Sequence, residues 1–158
     1  MLTKNRGMLL ETLINKTIKF YEENNIAIFH KKNLDITFKK INKNLELKNG
    51  VISKKSTVDY YGVFNGKFVC FEAKSTNDNF LSWSNIKEHQ LNYLKKIHKH
   101  QGLAFFIILL KNIDKFFLLF ANEVNYKKEK INLDFLKNKG FELDITYPGI
   151  IDFIEILK

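Results

Sequence analysis

Arginine, cysteine and proline each occur only once in 158 residues, and no long apolar run interrupts the chain. The single cysteine, Cys70, excludes an internal disulfide and any Cys-cluster zinc site. It lies among apolar residues and reads as an inert core thiol. The longest apolar stretch, residues 103–110, is too short to span a bilayer. Met1-Leu2-Thr3-Lys4-Asn5-Arg6-Gly7 is followed by no extended apolar segment, so no signal peptide is read and a cytoplasmic location is expected. With Arg6 as the one arginine, the basic residues are otherwise all lysine. Lysine meets phosphate as a point charge, whereas bidentate base readout favours arginine. A nucleic-acid partner would then be held by backbone and shape more than by base sequence, although an AT-rich genome leaves the same bias.

What is present is a basic, aromatic-rich, foldable chain. A hydrophobic content of 45% with 15 Phe argues for a packed core over disorder. The length fits one domain, residues 1–158. A net charge of +9 and a pI near 9.5 call for an acidic partner, nucleic acid first and an anionic membrane surface second.

The most informative stretch is a hairpin. Residues 57–64 and 67–74 are rich in aromatic and β-branched residues and flank Asn65-Gly66, a type I′ turn signal. A two-residue loop sets the register. Phe64 faces Lys67, Val63 faces Phe68 and Tyr61 faces Cys70. Extended further, Asp59 faces Glu72 and Thr57 faces Lys74. Side chains alternate between faces, so Thr57, Asp59, Glu72 and Lys74 share one side. Like charges opposed across a ladder are destabilising, and a divalent cation between Asp59 and Glu72 would relieve them. The plain alternative is a solvated polar face, and a β-bulge would move Asp59 to the other side.

Around the hairpin, residues 7–24 read as a helix with the stripe Leu10, Ile14, Thr17 and Tyr21 and with Glu11 at its edge, either solvated or placed near the metal site. Residues 26–29 read as a short strand. Residues 31–55 carry Lys31, Lys32, Lys39, Lys40, Lys43, Lys48, Lys54 and Lys55, interleaved with Ile36, Phe38, Ile41, Leu45, Leu47, Val51 and Ile52. This is read as a projecting basic arm inserted in the domain, suited to phosphate contact with an apolar wedge. Residues 75–80 read as a loop. Ser82 or Ser84 is expected to cap a helix to about His100 whose inward stripe is Ile86, Gln90, Tyr93 and Ile97. Gln90 in that stripe needs a polar partner, either backbone or the acidic hairpin. Strands follow at 102–110 and 115–121, a helix at 131–138 closed by Gly140, a strand at 141–145, a turn at Tyr147-Pro148-Gly149 and an amphipathic segment at 152–157. The order indicates an α/β fold, a mixed central sheet flanked by helices.

Two carboxylates and a lysine on adjacent strands suit metal-dependent phosphodiester cleavage. Asp followed by Glu-x-Lys is the pattern of the PD-(D/E)XK nucleases. The longer string is Asn5-Arg6-Gly7-Met8 with Glu11, Ser56-Thr57-Val58-Asp59-Tyr60, Gly62-Val63, Gly66, Phe71-Glu72-Ala73-Lys74 and Glu88-His89-Gln90. It closely resembles the RecU family, the Holliday junction resolvases of Gram-positive bacteria and their wall-less relatives. The resemblance spans nearly the whole chain, is strongest from Ser56 to Gln90 and weakens after Ala121. It implies a restriction-endonuclease-like fold and a homodimeric nuclease. That nuclease would use Mg²⁺, with Mn²⁺ also open, to nick four-way junctions symmetrically. By position it implies Thr57, Asp59, Glu72 and Gln90 as metal ligands, with Thr57 and Gln90 acting through backbone or water. It makes Lys74 the transition-state cation. The basic segment, with Lys31, Lys32, Lys39 and Lys40, falls on the family's DNA-inserting stalk, although Asn33-Leu34-Asp35 replaces its usual proline-containing stretch. Arg6 is expected on a DNA phosphate, or else in a surface ion pair. Regulation of a RecA-type recombinase is a further family property. Two other readings stay open: a nuclease of the same fold acting on duplex DNA, and a non-catalytic DNA-binding recombination accessory protein.

Overall fold

The apolar stripe of the first helix folds onto a sheet made largely from the hairpin and the two long apolar strands. In the computed structural model, which describes residues 8–38, 40, 41, 47, 48, 50–52 and 57–158, the chain begins with α1 (Met8–Glu23) and β1 (Ile28–Lys31). Four short strands follow: β2 (Ile36–Thr37), β3 (Lys40–Ile41), β4 (Leu47–Lys48) and β5 (Val51–Ile52). The hairpin is β6 (Tyr60–Phe64) and β7 (Lys67–Thr76). Then come β8 (Phe80–Leu81), α2 (Glu88–Lys99), β9 (Leu103–Leu110) and β10 (Lys115–Phe120). Closing the chain are β11 (Ile131–Asn132), α3 (Leu133–Lys139), β12 (Phe141–Leu143), β13 (Ile145–Thr146), β14 (Ile150–Ile151) and α4 (Ile154–Leu157).

The main sheet runs β1-β6-β7-β9-β10-β12. Only β7 and β9 pair in parallel, from Val69↔Leu103 to Thr76↔Leu110; the other pairings are antiparallel. A parallel pair needs a crossover, and α2 supplies it across one face. One core cluster lies between the sheet and α1 with the residues around α4, and includes Ile14, Tyr21, Phe29, Phe71, Phe105 and Phe153. The second lies under α2 and α3 and includes Cys70, Leu91, Leu94, Ala104, Phe106 and Leu136. This is the mixed sheet flanked by helices that the sequence implies.

Phe71 is the centre of the first layer. Its ring stacks on Tyr60 at 4.9 Å and on Phe105 at 5.0 Å, and meets Phe153 edge-on at 5.3 Å. Polar groups pin the segment that carries Phe153. The Tyr21 hydroxyl donates to Asp152 Oδ1 at 2.7 Å and accepts from the Ile154 amide, while Thr17 Oγ1 accepts from the Ile151 amide. Gly62 is required by close packing of the edge strand, since a Cβ there would meet the Ile28 carbonyl oxygen at 2.0 Å.

Several boundaries differ from the sequence reading. α2 starts at Glu88, because Ser82 and Ser84 hydrogen-bond each other in a preceding turn and neither reaches the helix. Its buried residues are Gln90, Leu91 and Leu94, so the inward stripe is rotated toward Leu91, while Tyr93 and Ile97 are only partly buried. The stretch read as a loop after the hairpin contains the end of β7, and β8 pairs with β11. In the 31–55 segment, β2 pairs with β5 and β3 with β4, all four pairs in one antiparallel register. Lys39 lies outside the described residues, as do Lys43, Leu45, Lys54, Lys55 and, at the other end, Arg6. Among the described residues no helix is long and apolar enough to cross a membrane.

The Phe71 stack is expected to dominate stability. Phe71→Ala should cost about 3–5 kcal/mol in denaturant unfolding. Phe141→Ala, at a half-exposed ring, should cost about 1 kcal/mol or less.

Candidate metal centre

Because β7 alternates, Phe71 on one face leaves Cys70, Glu72 and Lys74 on the other, beneath α2. Glu72 is fully buried. Its Oε1 accepts a 3.0 Å hydrogen bond from Gln90 Nε2, so the helix glutamine does face the acidic hairpin. Lys74 Nζ lies 3.0 Å from Glu72 Oε2 and donates to Gln90 Oε1 at 3.2 Å. Buried Oε2 has the Lys74 ammonium as its ion-pair partner and is otherwise left without a hydrogen bond. Burial foremost, and then the Asp59 charge, push Glu72 up to about 8, although Lys74 opposes both. Burial likewise raises the Cys70 thiol, which removes it as a nucleophile.

The ladder between β6 and β7 ends at Tyr60↔Phe71, so Asp59 and Glu72 are not a cross-strand pair. The chain bends at Asp59, whose carbonyl accepts from the Lys32 amide at 2.7 Å. Its carboxylate still reaches the centre, since Asp59 Oδ2 accepts from the Ala73 amide at 3.0 Å. Thr57 is carried away from Lys74 by the same bend. Its hydroxyl accepts from Lys32 Nζ at 3.2 Å, and it lines a separate cavity. Asp59, Glu72, Lys74 and Gln90 are therefore gathered, and the Thr57 side chain is not.

A small cavity of about 130 Å³ opens beside Asp59, lined also by Glu11, Lys31, Ala73 and Ser75. Glu11 is the residue that periodicity undervalued. It sits at the edge of the α1 stripe and is ion-paired with Lys31. Lys32 lies 3.5 Å from Asp35. Lys31 and Lys32 thus each have a carboxylate partner. The backbone of Lys40 pairs with Lys48.

No group of three or more His, Cys, Asp or Glu is arranged to hold a metal among the described residues. The donors gathered are two carboxylates and an amide oxygen, a hard, all-oxygen set that fits Mg²⁺ or Mn²⁺. The buried Oε2 without a hydrogen bond is the atom a cation would satisfy. Because Glu72 titrates above the ordinary value of 4.5, the folded chain keeps a proton that the unfolded chain loses between 4.5 and about 8. Its contribution is full below 4.5 and lost as pH rises through about 8. In chelator, the melting temperature should fall between about pH 5 and about pH 9, and Glu72→Gln should flatten that slope. An unchanged slope in Glu72→Gln would locate the titration elsewhere.

The family described as Recombination protein U matches residues 5–158. A protein of Mycoplasmopsis pulmonis named Holliday junction resolvase RecU is 41% identical, over 100% of this chain and 97% of its own. The protein of that name in Ureaplasma parvum is 38% identical, over 98% and 93%. The one in Bacillus subtilis is 31% identical, over 98% and 80%. Among solved structures, Hjc of Archaeoglobus fulgidus, a Holliday junction resolvase, superposes with a TM-score of 0.55 at 9% identity, covering 84% of this chain and 94% of that one. At that identity the likeness is one of fold. The family match over residues 5–158 and a relative 41% identical over 100% of the chain leave one conclusion: the chain belongs to the Recombination protein U family.

Proposed function

We propose that this protein is a Holliday junction resolvase, a divalent-metal-dependent endonuclease that nicks four-way DNA junctions symmetrically as a homodimer in the cytoplasm, in recombination and repair. The observation that carries the reading is the sealed Glu72 carboxylate with an oxygen left for a cation, flanked by Asp59 and Lys74. The relatives' shared name gives the substrate class.

In this reading Asp59, Glu72 and the Gln90 amide oxygen hold Mg²⁺ or Mn²⁺, with Thr57 contributing through its backbone or a water. The bound cation supplies Lewis acidity toward a phosphodiester oxygen and an activated water at neutral pH. Gln90 fixes the Glu72 carboxylate through its amide N–H. Lys74, mostly buried beside that carboxylate, carries a positive charge to where negative charge develops on the phosphoryl group. Burial of the site excludes bulk water and strengthens each of these interactions. Residues 31–55, an insertion within a single domain, serve as the stalk. Lysines 31, 32, 39 and 40, together with Arg6, meet DNA backbone. A RecA-type recombinase is a candidate partner.

Asp59→Asn and Glu72→Gln are each expected to lower junction nicking at least about a hundredfold while binding persists, and Lys74→Met about a hundredfold. The assay is a synthetic four-way junction beside a linear duplex, with and without Mg²⁺. Cleavage surviving in both acid variants would displace the assigned site, duplex cleavage would favour a different nuclease, and binding without cuts would favour an accessory protein. Deleting residues 36–52 should lower junction affinity more than duplex affinity. Equal losses would remove the stalk role.

A further inference from the structure

One cavity reached by the same strand and helix as the metal centre takes no part in the proposed cleavage. It is a cavity of about 400 Å³ at the base of the 31–55 segment, lined among others by Lys32, Asn33, Thr57, Tyr61, Phe68 and Tyr93. Two observations tie it to the centre. Phe68 and Glu72 lie on the same face of β7, and Tyr93 follows Gln90 by one turn of α2. The helix therefore runs back along the strand from the Gln90–Glu72 hydrogen bond toward the cavity. Its aromatic walls are unusual for this core. Tyr61 is 38% and Phe68 42% exposed, whereas the neighbouring Tyr60 and Phe71 are 1% and 0%. They face the α2 side of the sheet, which covers Cys70 and Glu72 but leaves Tyr61 and Phe68 open. The polar part of the wall brings an ammonium at Lys32, an amide at Asn33 and a carboxylate at Asp35, 3.5 Å from Lys32.

We infer that this cavity receives one unstacked nucleotide of the DNA strand whose phosphate lies at Asp59 and Glu72. Exposed aromatic faces next to a cation and an amide are the chemistry that holds an unpaired base, by stacking on the ring, backbone attraction and edge hydrogen bonding. The position fits as well: Phe68 lies four residues from Glu72 along β7 and on the same face. A continuous duplex keeps its bases stacked and has no nucleotide to offer, whereas strands exchanging at a crossover do. The cavity would therefore discriminate junction from duplex through the base of the basic segment and the aromatic rings of the sheet. The Asp35 carboxylate favours a base over a bare phosphate at its end of the cavity. This inference rests on the nuclease reading and deepens it.

The test uses the full-length protein in Ca²⁺, with four-way junctions carrying 2-aminopurine at each position flanking the nicked bond and a duplex of the same sequence. Wild type should change the emission at one flanking position of the junction and at none in the duplex. Tyr61→Leu/Phe68→Leu keeps apolar bulk but removes the stacking faces. It should abolish that change and weaken junction binding about tenfold, leaving duplex binding within about twofold. Phe68→Trp should retain both the emission change and the affinity. Full junction affinity in the leucine variant, or an emission change that survives in it, overturns the cavity assignment alone. So does equal loss on both DNAs. Wild-type protein that binds both DNAs alike, with no emission change, overturns the junction reading and the cavity with it.

Discussion

The structure turns on a carboxylate kept out of water. Glu72 has no exposed surface, and a buried negative charge is costly unless it is paired or held by a cation. Gln90 and Lys74 answer part of that cost, and Asp59 adds to it. What is left is an oxygen with an ion-pair partner in Lys74 and no hydrogen bond. In the proposed reading a hard cation would complete this polar network at that oxygen.

That network exists because of one topological choice. β7 pairs in parallel with β9, so the connection between them has to cross a face of the sheet, and α2 is that connection. The helix covers the side of β7 on which Glu72 lies and brings Gln90 to it. The other side of the same strand is committed to the Phe71 stack. Polar-site and aromatic-core residues therefore alternate along a single strand.

Much of this was legible in the chain. The Asn65-Gly66 turn, aromatic arms and one-residue alternation were enough to place Glu72 and Lys74 together, and Gln90 in an apolar stripe called for a polar partner that proved to be Glu72. The idealised ladder misled at its open end. It assumed that pairing continues to Thr57, whereas the Lys32 amide captures the Asp59 carbonyl and turns the strand away. Turn chemistry fixes a register near the turn, and its authority decays with each pair. Glu11 was left undecided for a different reason. Its neighbours at the cavity come from β1 and β7, distant in sequence, and a stripe-edge position alone does not choose between solvent and the site. Leu91 was lost to a rotation of the stripe, because the helix begins later than its serines suggest.

The Tyr21–Asp152 hydrogen bond joins residues 131 positions apart, and Phe153 beside it forms part of the floor under Phe71. The aromatic layer beneath β7 therefore closes only when the segment around Phe153 meets α1, so two remote parts of the chain must order together.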